Sequence, residues 1–122
     1  MRLRLEHVPD SPRTPVSRFV HRGVDAGHYS ATVFDPPFPA PVPGKGYPLW
    51  TLEHRGHELH FASPEEIAHV VAVLGQRVLP KPRVLGAEQS AVNSHWLSRM
   101  DNAWLSWKVR QEIVRKLTEA LS

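Results

Sequence analysis

The chain has no cysteine among its 122 residues. That excludes disulfides, thiolate nucleophiles and cysteine-held zinc or iron–sulfur sites. Long apolar runs are missing too. The longest covers 70–74, far short of the ~20 residues that span a bilayer. The start, Met1-Arg-Leu-Arg-Leu-Glu6, is charged and alternating, with no signal-like apolar stretch behind it. A cytoplasmic protein with no membrane partner is expected. Common catalytic signatures are lacking as well. Pro43-Gly-Lys-Gly46 is too short for a phosphate-binding glycine loop, and there is no G-x-S-x-G elbow or HExxH. Pro80 and Pro82 make the link between the predicted helices too stiff for a helix-turn-helix. The expectation is a non-enzymatic chain that needs no cofactor.

What is present suits one globular domain over 1–122. Hydrophobic residues make up 41%, enough to bury a core without staples. The net charge of +3 is unevenly spread. Residues 1–50 hold six Lys/Arg against four Asp/Glu, 51–76 hold one against four, and 77–122 hold eight against four. A basic final third favours an anionic partner.

The predicted fold class is α+β. Residues 2–8 alternate as a half-buried strand does. Residues 16–21 and 28–34 are weaker strand candidates around a turn at Gly23 and Gly27. The proline-rich loop 35–46 carries five prolines, which lack a donor and fix φ, so neither helix nor central strand fits. It is expected to run as a semi-rigid crossing that packs Phe38 and Val42 on the body, with a proline-recognition ligand as the alternative.

Arms at 50–54 and 57–61, joined by Arg55-Gly56, predict a hairpin with a type I′ turn. That register pairs Trp50 with Phe61, Leu52 with Leu59, and His54 with His57 on one face. The other face holds Thr51, His60 and the like-charged pair Glu53–Glu58. Opposed like charges destabilise a sheet, so a basic residue from another strand is expected between them. Ser63-Pro-Glu-Glu66 then opens a helix at 64–76: serine as N-cap, proline at the first turn, glutamate closing the capping box. Ile67, Val70, Val71 and Leu74 form its apolar stripe, and Gly75 ends it. A turn or short helix is predicted around 94–99, and a C-terminal helix at about 102–121.

Three constellations bear on function. His54, His57 and His60 recur every third residue, but a strand register splits them between two faces. A metal-dependent enzyme at the hairpin is therefore only the third-ranked reading. Trp96, Trp104 and Trp107 lie among Arg99, Lys108 and Arg110. Such interleaving stacks bases and holds phosphates. On the C-terminal wheel Trp104 falls outside the apolar arc and is expected either to be exposed or to sit in a separate turn, whereas Trp96 and Trp107 are expected in the core. Arg110 lies inside that arc. It fits a buried ion pair with Asp101, Glu88 or a hairpin glutamate, or else a partner surface.

The segments Phe61-Ala-Ser-Pro-Glu-Glu-Ile67, Leu79-Pro80, Asn93-Ser-His-Trp-Leu-Ser-Arg99 and Trp107-Lys-Val-Arg110 resemble a small uncharacterised proteobacterial family associated with phages and other mobile elements. The likeness covers residues 47–118 and implies no activity. It implies an accessory protein, among which inhibitors of host defence, anti-CRISPR proteins included, are one class.

The leading expectation is a non-enzymatic macromolecule-binding protein. Arg99, Lys108, Arg110, Arg115 and Lys116 would hold nucleic-acid phosphates, and Trp104 would stack a base. The alternative is a mobile-element inhibitor that binds a nucleic-acid-binding host protein.

Overall fold

The computed structural model describes residues 1–26, 31–79 and 96–122. The architecture is α+β. Strands β1 (Arg2–Val8), β4 (Tyr47–His54) and β5 (His57–Phe61) form an antiparallel sheet in the order β1-β4-β5. A second, two-stranded sheet pairs β2 (Arg22–Gly23) with β3 (Phe34–Asp35). Helices are α1 (Ser17–Val20), α2 (Pro64–Leu74) and α3 (Trp107–Ala120), with 3-10 turns at Trp96–Arg99 and Asn102–Trp104. No helix of the described residues is long and apolar enough to cross a membrane.

The hairpin has the expected register throughout, from Trp50 opposite Phe61 to His54 opposite His57. Both turn residues have positive φ, 53° at Arg55 and 80° at Gly56, as a type I′ turn requires. β1 lies on the far side of β4 and pairs Arg4 with Thr51. This sets the Arg4 guanidinium between the two glutamates, 3.6 Å from Glu53 and 3.0 Å from Glu58. The opposed carboxylates therefore share one cation.

The other sheet face is the core side. Leu52, Leu59 and Phe61 meet Ile67, Val70, Val73 and Leu74 of α2 and Ile113 and Leu117 of α3, all buried. Burying each such side chain contributes about 1.5–3 kcal/mol. α2 starts as predicted: Ser63 accepts from the N–H of Glu66, and Pro64 follows it. The reciprocal half of the capping box is shifted by one residue, because the Glu66 carboxylate takes the N–H of Ala62.

Three expectations need correction. Residues 17–20 make one helical turn rather than a strand, and of the 28–34 candidate only Phe34 is in a strand, with 28–30 outside the described residues. The C-terminal helix is broken. Asp101 caps a 3-10 turn, then Ser106 caps α3 afresh by accepting from the N–H of Val109. In the proline loop, Phe38 stacks on His21 with ring centroids 4.1 Å apart, but Val42 is exposed. The turn predicted at 94–99 is described from Trp96 onward.

Candidate nucleic-acid interface

The fresh start of α3 at Ser106 decides which tryptophan faces solvent. Trp104 belongs to the preceding 3-10 turn and is 3% exposed. Its indole N–H donates to the carbonyl of His54 at 3.1 Å. It closes the core beneath the hairpin tip and presents no open face on which a nucleic-acid base could stack. Trp96 is buried as expected, and its indole N–H donates to Nε2 of His69 at 3.1 Å. Trp107, expected in the core, is half-exposed at the first turn of α3. The guanidinium carbons of Arg77 and Arg110 each lie 5.0 Å from its ring, within cation–π reach.

Arg110 is 5% exposed and has no carboxylate partner among the described residues. Its guanidinium donates instead to the carbonyls of Leu74, Gln76 and Arg77, and through Nε to Leu105. These carbonyls include the unsatisfied acceptors at the end of α2, the negative pole of that helix. Burial, with the nearby Arg77 charge, lowers the pKa of Arg110 from its ordinary value. Arg110 is thus a structural clamp, which removes it from the expected phosphate contacts. Glu88 lies outside the described residues.

The remaining predicted cations divide. Lys108 and Arg115 are exposed, one turn-pair apart on α3, beside Trp107 and Gln111. Trp107, Gln111, Val114, Arg115 and Gly75 line a shallow depression of about 270 Å³. Exposed Arg77 stands at its edge against Trp107. Lys116, half-buried, sits around the helix beyond Glu112 and Glu119. None of the ion pairs among the described residues involves Lys108, Arg115 or Lys116. Arg99 is exposed but lines a different pocket, beneath β5. The structure therefore gathers Lys108 and Arg115 with Trp107 and Arg77, two residues outside the predicted set. The sequence signal for Trp107 was its place directly after a serine cap.

The hairpin histidines do not converge. His57 pairs with Asp101 at 3.2 Å, and His60 bonds Thr51 at 2.9 Å on the opposite face. Among the described residues no three His, Asp or Glu side chains group closely enough to hold a metal ion.

One chemical cluster had no signal in the sequence. Nε2 of His21 lies 2.7 Å from the Ser63 hydroxyl and 3.3 Å from Glu66, and Nδ1 donates to the Pro36 carbonyl at 2.6 Å. Glu66 also accepts from the hydroxyls of Thr14 and Ser17. Burial opposes a charged His21, but the Glu66 and Pro36 hydrogen bonds outweigh it and raise its pKa. The serine–histidine contact has a nucleophile's spacing, yet both residues are 0% exposed. Glu66 also sits on the same ring nitrogen as Ser63, whereas an orienting carboxylate belongs on the other. The cluster fastens 14–21 and the proline loop to the start of α2.

Compared with known protein families, with curated proteins and with solved structures, the chain gives no match.

Proposed function

We propose that the protein is a non-enzymatic binder of single-stranded nucleic acid, with its contact surface at the start of α3. In this reading Arg77, Lys108 and Arg115 hold phosphates, and a base stacks on the part of Trp107 that lines the depression. The observation that carries it is the half-exposed Trp107 with an exposed guanidinium 5.0 Å from its ring and, on the same side of the helix, two cations without an ion-pair partner among the described residues. The N-terminus of α3 adds a partial positive charge there.

The test is fluorescence anisotropy of labelled single-stranded DNA and RNA over a salt series. Three phosphate contacts predict a log–log slope of about −2. A flat salt response, or no binding at low salt, rejects the proposal.

A second reading is a protein-directed inhibitor that uses the same patch. Tryptophan and arginine dominate protein-interface hot spots, and a basic patch suits an acidic protein surface. A stoichiometric protein partner retained after nuclease treatment of a pull-down favours this reading over the first.

A further inference from the structure

Beneath β5, on residues the nucleic-acid proposal does not use, lies a second pocket of about 160 Å³. Its apolar lining comes from Pro15, Leu59, Trp96, Met100 and Trp104, three of them less than a tenth exposed. The volume is close to the ~150 Å³ apolar cavity that admits benzene. It is well below the ~300 Å³ at which pockets begin to hold drug-sized ligands. One six-membered ring fits, and a nucleoside does not.

The charged rim selects among rings. His57 is held by Asp101 at 3.2 Å, and Glu58 by Arg4 at 3.0 Å. Asp101 is further occupied by the N–H of Ala103. The Arg99 side chain, exposed at the rim, makes no hydrogen bond or ion pair among the described residues. Among the described residues, the rim charge left without a partner is therefore a guanidinium, whose planar fork matches a carboxylate bidentately.

We propose that this pocket binds a small aromatic acid, with its ring against Leu59, Met100 and the two tryptophans and its carboxylate on Arg99. The same ring-plus-carboxylate chemistry is offered by a free aryl acid and by a peptide ending in phenylalanine.

NMR titration of the full chain tests this. The probes are benzoate, phenylacetate, the neutral benzyl alcohol, the cationic benzylamine, and acetyl-Gly-Phe as acid and as amide. Met100 is a clean reporter, because the chain has only two methionines. The expected result is a saturable shift of the Met100 methyl and of two tryptophan indole signals with the acids, and binding about tenfold weaker for the neutral analogue. Arg99→Gln should bring acid and alcohol to equal affinity while the melting temperature holds. If acetyl-Gly-Phe acid binds more tightly than benzoate, the ligand is a chain terminus; the reverse order marks a free acid. No saturable Met100 shift at tens of millimolar ligand, or benzylamine binding as well as benzoate, overturns the proposal. So does an Arg99→Gln variant that still prefers the acid. A failed salt titration at Trp107 leaves this test unaffected, since the two sites share no residue.

Discussion

The guanidinium of Arg110 donates to the carbonyl of Leu74 at 3.2 Å, so a side chain of α3 finishes the last turn of α2. Gly75, the residue after that helix, has φ of −75° rather than the left-handed value of a usual glycine cap. Arg110 supplies donors that no left-handed cap provides here. Arg110→Met keeps the stem and removes every donor, leaving the carbonyls of Leu74, Gln76 and Arg77 without this partner. The expected loss is about 3 kcal/mol, roughly a 10 °C drop in melting temperature for a chain this size. Arg110→Lys should recover only part of it, because one ammonium cannot span the same carbonyls. Thermal melts followed by circular dichroism decide the matter, and a methionine variant that melts with the wild type removes the clamp.

Legibility followed how local each determinant is. The hairpin register follows from a two-residue turn and an alternating pattern within residues 50–61, and α2 from four consecutive residues. The cation between Glu53 and Glu58 was expected, but its source depends on β1 pairing with β4 rather than β5, which is a long-range fact. The exchange of roles between Trp104 and Trp107 has a different cause. One wheel drawn from 102 to 121 ignores the break at Ser106, so Trp104 is projected onto a helix to which it does not belong. Arg110's partners are backbone carbonyls of another element, and no residue type encodes those. His21 sits beside a single helical turn with no periodicity to read, and its partner side chains are more than forty positions away.

His21 and His69 should tilt the stability profile in opposite directions. The folded pKa of His21 is raised, so the folded state holds its proton more tightly than the unfolded chain does. Its contribution is complete below about pH 6.5 and fades as pH rises through the folded value. Burial lowers the pKa of His69, with a smaller push from Arg22 and opposition from Glu66. Its Nε2 must stay bare to accept the Trp96 indole N–H. That contribution is present above about pH 6.5 and is lost as pH falls. Urea titrations from pH 5 to 8.5 read both effects. The deficit of His21→Gln should shrink as pH rises, and that of His69→Gln should shrink as pH falls. Parallel deficits at all pH values count against both assignments.

Gly46 marks where the proline loop meets the sheet. Its φ is +104°, and an added Cβ would collide with the carbonyl of Val8 at the end of β1. Gly44 also has positive φ, +77°, but nothing lies within 4 Å of its would-be Cβ. Alanine at Gly46 therefore carries backbone strain and a clash that only movement of β1 relieves, about 3 kcal/mol. Alanine at Gly44 carries the strain alone, about 1 kcal/mol. Equal urea midpoints for the two variants would show that the approach to Val8 does not matter.

Trp104 and Trp107 separate folding from binding. Three residues apart, they do different jobs: one indole is 3% exposed and bonded to the His54 carbonyl, while the other lies half-exposed among cations. Trp104→Ala opens a core cavity and strands that carbonyl, so a loss of about 3–5 kcal/mol is expected. Trp107→Ala removes partly exposed surface and one stacking partner of Arg77, and should cost about 1 kcal/mol. On single-stranded nucleic acid the order reverses. Trp107→Ala should weaken binding about tenfold or more, since stacking on a base contributes about 1–3 kcal/mol, and it should leave the salt slope intact, because no phosphate contact is lost. Lys108→Ala or Arg115→Ala should instead flatten the slope by about 0.7 each. Trp104→Phe, a milder change in the same core, should bind as the wild type does wherever it remains folded. If Trp107→Ala binds normally while Trp104→Phe does not, the binding surface lies under the hairpin and the assignment to α3 is wrong.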